Sequence, residues 1–191
     1  MEASMNQYLQ IGNMMVSGAI SKQLAQAIIE GNVQIVESLM TKGSETVYTL
    51  TLDCTQSLSD LIAQGKYDFV NDNITEKNFP IECSGETIKM ALEVILVHLD
   101  ERLTTKRVKH ELDRRGLKLA PIDILLALGA AESDLQRKFP IVALGYSWPD
   151  SGRDLVVPEL WHNGSARVVN LNFVYPDDRW DGYYRFVALR K

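Results

Sequence analysis

The spacing of apolar residues changes along this chain, and that change restricts its fold more than any other feature. Up to about Phe139 they recur mainly at helical intervals; beyond it they lie in short β-type runs punctuated by Gly, Pro, Asn and Asp. Helices first and strands after is the order of an α+β protein, in which the two kinds of element segregate instead of alternating as βαβ units. One earlier segment departs from it: TVYTLTL, Thr46 to Leu52, is β-branched and alternating, and predicts a strand.

The individual elements follow from local chemistry. Ile20, Leu24, Ala27, Ile28, Val33, Val36 and Leu39 predict one helix broken near Gly31, or two short ones. The turn-rich TKGSE then separates a helical appendage, residues 1–43, from a second domain, residues 44–191. SLSDLIAQG predicts a short helix with Ser57 as N-cap, Asp60 in its first turn and Gly65 at its end. The segment from Lys66 to about Gly85 reads as loop. Ile88, Leu92, Ile95 and Leu99 fall on one helical face and predict a helix over residues 86–103, with His98 as a structural residue within it. A basic helix follows at 104–115, with Val108 and Leu112 turned inward and Gly116 as its stop. Pro121 opens an apolar helix ending near Gly129, and Ile141 to Gly145 reads as a buried strand.

Composition narrows the functional classes. The 191 residues are 46% hydrophobic, enough for a full core without a metal or disulfide staple. A formal charge of −5 argues against a general polyanion-binding role. Cys54 and Cys83 lie in no CxxC or Cys/His pattern, and are expected as buried thiols in a reducing compartment. The first residues carry neither a basic n-region nor an apolar h-region, and no window approaches the ~18 apolar residues of a membrane span. The expected location is the cytoplasm, or a particle assembled there. No carboxylates stand at calcium-loop spacing, and no cofactor is expected.

The tail, Trp161 to Lys191, carries the chemistry. From Arg167 to Val174, alternation puts Val169, Leu171 and Phe173 on one face and Val168, Asn170, Asn172 and Val174 on the other, so one face packs and the other presents asparagines. Arg167 falls in the apolar phase, where an end-of-strand ion pair would account for it. Phe186, Ala188 and Leu189 anchor a closing strand, in which Arg185 is expected to pair with an acidic group. Between the strands lie WHNG and VYPDDRWDGYY. Their mix of Tyr and Trp with Asn, Ser and Gly is that of binding paratopes, where rigid aromatics give area and small polar groups give adaptable hydrogen bonds.

Two segments resemble a known family. GLKLAPIDILLALG, Gly116 to Gly129, is similar to the segment before the second helix of C-type lectin-like domains of the formylglycine-generating-enzyme group. WDGYYRFVALR, Trp180 to Arg190, is similar to their closing strand. With the loop-rich tail, they resemble the variable protein of a diversity-generating retroelement. That resemblance implies a C-type lectin-like fold with a small, mainly antiparallel sheet, and a non-enzymatic receptor whose last strands display a hypervariable surface. The implied ligand is a protein or a glycan, and the display set is His162, Asn163, Ser165, Asn170, Asn172, Tyr175, Asp177, Asp178, Asp181, Tyr183 and Tyr184. Such retroelements randomise adenines in AAY codons, and the resulting NNY codons cannot encode Trp, Met, Lys, Glu or Gln. Between His162 and Arg190 only Trp180 belongs to those five types.

Two other functions compete with that reading. A nucleic-acid-binding regulator would use Lys106, Arg107, Lys109, Arg114 and Arg115. A small hydrolase would use His162 with Asp150, Asp154 or Asp177 as acid and base, although no GxSxG nucleophile elbow is present. Membrane insertion is not expected, and a homo-oligomer is compatible with the sequence.

Overall fold

The computed structural model describes Ala25, Gln26, Ile29 and residues 43–81 and 89–191. Two compact units divide the chain, Met1–Lys42 and Gly43–Lys191. The expected N-terminal helices are largely outside the described residues, as is Cys83.

The second unit is α+β. In chain order its elements are β1 (Ser44–Asp53), α1 (Leu58–Gly65), β2 (Phe69–Val70), β3 (Lys89–His98), β4 (Leu103–Thr104), α2 (Thr105–Arg114), β5 (Leu117–Leu119) and α3 (Ile122–Ala131). A 3₁₀ turn (Leu135–Arg137) leads to β6 (Ile141–Ala143), β7 (Trp148–Pro149), β8 (Leu155–Asn163), β9 (Ala166–Phe173), β10 (Arg179–Trp180) and β11 (Arg185–Arg190). The main sheet runs β1-β3-β11-β6-β8-β9-β2, with β5 also on β11 and β7 on β8, while β10 and β4 form a separate pair. Pairing is antiparallel except for β11 with β6 and β2 with β9. β6 and β5 share one edge of β11 end to end, β6 against residues 185–187 and β5 against 188–190.

Each face of the sheet has its own core. Val94, Leu96, Val187, Ile141, Leu160 and Val169 point to the side where α1 and α3 pack, with Leu58, Leu61, Leu125 and Leu128. Ile95, Val97, Phe186, Ala188 and Val142 point to the other, covered by Val108 and Leu112 of α2. α3 is buried almost all round, as its sequence, apolar apart from Asp123 in the first turn, requires. Ser57 and Asp60 exchange reciprocal hydrogen bonds as a capping box at the start of α1.

Three expectations are corrected. Residues 89–98 are strand, not helix. β3 is an inner strand, and Val94, Ile95, Leu96 and Val97 are all buried because both faces are covered. A strand buried on both sides loses its alternation and becomes a continuous apolar run, within which helical spacings arise by chance. Cys54 is no thiol: it is buried and disulfide-bonded. Disulfides persist where surroundings are oxidising, so the cysteine argument for a reducing compartment no longer holds. Among the described residues Arg167 makes no ion pair through its side chain; its guanidinium enters the core and donates to the carbonyl oxygens of Gly65 and, at 2.6 Å, Gly129.

Candidate functional site

The site is built on the β8–β9 hairpin. Its register runs from Val156 opposite Phe173 to Asn163 opposite Ala166, leaving Gly164 and Ser165 as a two-residue loop. Gly164 has φ of +61°, the positive value that a primed hairpin turn requires. The pleat sends Leu160, Val169 and Leu171 toward α1 and α3, and Glu159, Trp161, Val168, Asn170 and Asn172 to the opposite face. On that face all but Glu159 are half-buried.

The expected display residues separate into two groups. His162, Asn163 and Ser165 sit at the hairpin tip, where His162 Nδ1 lies 3.1 Å from the Gly164 carbonyl and its ring 4.8 Å from that of Trp161. At ~3.3 Å per residue, the seven steps from Ala166 to Phe173 put the other group about 23 Å away. There Asn172, Asp177, Asp178 and Tyr184 line a cleft of about 410 Å³ together with Arg102, Phe173, Arg179 and Trp180. The rest of the group touches this lining: Tyr175 stacks on Phe173, Asp181 pairs with Arg102 at 3.1 Å, and Tyr183 stacks on Tyr184. Asn170 lies between the groups and accepts from the Asn71 side chain at 3.2 Å.

The chain is held around the cleft by Trp180. Its indole is buried, donates to Thr105 Oγ1 at 3.0 Å, and meets Phe186 and Tyr184 edge-on. Backbone bonds from Thr105 and Lys106 to the carbonyls of Asp178 and Pro176 fix the cleft loop to the start of α2. Among the described residues Arg185 forms no ion pair of the kind the sequence suggested, although the Asp100 charge acts on it from farther off. It lies over the Phe139 ring at 4.4 Å and donates to the carbonyls of Tyr183 and Tyr184, and burial lowers its pKa.

Beneath Asn172 lies a residue that sequence reasoning missed. Glu159 is 5% exposed and accepts from Asn172 Nδ2 at 3.1 Å, while the same amide nitrogen lies 3.4 Å from the Tyr184 hydroxyl. Burial pushes the Glu159 carboxyl up to about 7, against the opposing pull of the Asn172 hydrogen bond. The only sequence signal was a lone acid inside the apolar run LVVPELW. Asn172 is thus committed to a buried partner, and polar replacements there are not free as they are at an exposed display position.

A measurable pH dependence follows. The folded-state pKa lies above the ordinary 4.5, so the folded protein holds a proton that the unfolded chain has lost. Stability therefore falls as pH rises from about 4.5 to about 7, and levels off above. Glu159→Gln should match the parent near pH 4.5 and exceed it by roughly 3 kcal/mol at pH 8, because each tenfold change in proton affinity is worth ~1.4 kcal/mol. Urea melts across that range test it; a constant difference between the two proteins would assign the effect to packing instead.

The competing sites are less well assembled. Asp154 immediately precedes β8 and His162 is near its far end, so the expected acid–base pair is not formed. Asp150 instead accepts from the backbone of Gly152 and Asp154. On α2, Arg114 and Arg115 are bound to Glu111, whose carboxyl they hold down to about 2, and Lys191 pairs with Asp113 at 2.5 Å. Lys106, Arg107 and Lys109 remain exposed.

Among the described residues, no helix is long and apolar enough to cross a membrane, and no group of three or more His, Cys, Asp or Glu side chains is placed to hold a metal ion. Comparison with protein-family models, curated proteins and solved structures finds no match for this chain.

Proposed function

We propose that this chain is a ligand-binding protein, and that the cleft at the end of β9 is its recognition surface. One observation carries the reading: Asn172, Tyr175, Asp177, Asp178, Asp181, Tyr183 and Tyr184, drawn from a strand and the two loops after it, gather in and around one cleft. Phe173, Tyr175 and Tyr183 expose 51%, 39% and 53% of their surface there, while buried Trp180 and Phe186 anchor the loops from below. Exposed polar tips over a packed aromatic footing are what a paratope needs, because affinity is gained when little order has to be created on binding.

The finer reading, a C-type lectin-like variable protein diversified by a retroelement, is supported by the NNY-compatible composition of residues 162–190 apart from Trp180. The helix at 86–103 that this reading expected to pack on the sheet is strand over Lys89–His98, which counts against it. Its test is the DNA beside the gene, which should hold a reverse transcriptase gene and a near-copy of the segment for Trp161 to Lys191. Mismatches should fall at template adenines and at codons of the display set, sparing Trp161, Trp180 and Phe186. Absence of both elements, or mismatches spread over all four bases, would remove diversification and leave a fixed binder.

The binding reading is tested separately, by randomising Asp177 and Tyr183 in a display library. Both are exposed, so members should keep stability within roughly 1 kcal/mol of the parent, and selection on arrayed glycans and proteins should enrich distinct sequences at those positions. A library that fails to fold, or selects nothing that depends on those positions, would sink it.

A further inference from the structure

Phe173 and Tyr175 form the most exposed aromatic pair of the cleft group, and the groups around them select a partner by charge. Their rings are 6.3 Å apart and only 8° from parallel, with Phe173 51% and Tyr175 39% exposed. Phe173 belongs by alternation to the packed face of β9, where Arg167 and Val169 are buried. Nothing in the strand's own packing therefore explains a large apolar ring left in water at that position, and such rings mark interaction sites when they cluster. The Asp154 carboxylate is the largest cause of a rise in the Tyr175 pKa to about 12, to which the carboxylates of Asp178 and Asp150 add. Asp178 Oδ2 also accepts from the Tyr175 backbone at 3.2 Å. Phe173, Asp177 and Asp178 open onto the adjoining 410 Å³ cleft.

The cations nearby do not cancel this field. Arg102 is engaged by Asp181 at 3.1 Å. Arg179 lines the cleft, Arg153 lies in the Asp150–Asp154 turn and exposed Lys106 is bonded through its backbone to Pro176, so Asp150, Asp154, Asp177 and Asp178 still outnumber the three of them. An aromatic face is itself attractive to cations, because its quadrupole is negative above the ring. Aromatic rings ringed by carboxylates favour a planar guanidinium, which can stack on a ring and donate a bidentate pair of hydrogen bonds at the same time.

We propose that the Phe173–Tyr175 platform and its aspartates bind an arginine-bearing basic segment of a partner polypeptide, with guanidinium groups stacked on the exposed rings and paired with Asp177 and Asp178. The proposal rests on the binding reading above and names the chemistry of its ligand.

The test uses a fluorescein-labelled hexa-arginine peptide, followed by fluorescence anisotropy at 0.15 M salt, with hexa-lysine and hexa-glutamate as comparisons. Hexa-arginine should bind measurably, hexa-lysine more weakly, and hexa-glutamate not at all. Phe173→Ser leaves the net charge unchanged and should weaken binding at least tenfold, as should Asp177→Asn with Asp178→Asn. Asp72→Asn with Glu76→Gln removes as much charge from an exposed segment elsewhere and should change it less than twofold. Circular dichroism of each variant, and a second pair of single substitutions, Phe173→Leu and Asp177→Asn, guard against loss of folding. No binding of hexa-arginine, or equal losses in the site and control variants, would overturn the proposal. Display selections that still yield cleft-dependent binders would then leave the broader reading standing.

Discussion

Arg167→Ala is expected to lower the unfolding free energy by about 3–5 kcal/mol in urea melts, among the largest losses available to a single substitution here. The guanidinium of Arg167 is buried and reaches the carbonyl oxygens of Gly65, the last residue of α1, and Gly129, within the last turn of α3. Helix ends leave carbonyls without intrahelical partners and carry partial negative charge, so a fixed cation shared by two such ends answers both needs. Tyr67 lies beneath it, with the guanidinium carbon 4.7 Å from the ring centre. Arg167→Met keeps most of the bulk and removes the donors, and should recover only the packing share of the loss. If Arg167→Met melts within about 1 kcal/mol of the parent, those carbonyls find other donors and the account fails.

Phe186→Ala should cost about 3–5 kcal/mol by the same measurement. Phe186 is 2% exposed on the central strand β11, faces Val97 on one neighbour and Val142 on the other, and receives the edge of Trp180 at 5.8 Å. Removing the ring leaves a cavity between these groups and loosens the indole that holds the cleft loops. The loss should therefore be accompanied by a change in Trp180 fluorescence that Leu171→Ala, at a half-buried position, does not produce. A cost under about 1.5 kcal/mol would mean that the site collapses to fill the gap.

Local chemistry made some elements readable in advance. The Ser57 cap with Asp60, the Val108–Leu112 face of α2, the Pro121 start of α3 and the alternation of TVYTLTL each express an interaction within a few residues, and each appears where its residues predict. β3 was unreadable because its neighbours, β1 and β11, come from chain segments far from it, and only they reveal that both its faces are covered. Arg167 was legible as an exception but not as a solution, since the carbonyls it meets lie about a hundred residues upstream and about forty upstream in sequence. The cleft residues were legible by type, from the clustering of Tyr, Asn and Asp. Their division into a hairpin tip and a cleft was not, because it depends on the length and register of β8 and β9. Glu159 was missed for a similar reason: one acid in an apolar run gives no sign of the Asn172 amide that reaches it diagonally from the neighbouring strand.

The position of β11 also governs how the protein is made. This strand lies between β3 and the β6-β8-β9 half of the sheet, and among the described residues no other strand joins the two. A ribosome releases β3 long before it has added residues 185–190, so the nascent chain carries two half-sheets with open inner edges until the final strand arrives. Assembly must then close across nearly the whole length of the unit, a connection of high sequence separation that favours slow folding. In the cell, the protein's solubility during synthesis is set by what shields those waiting edges.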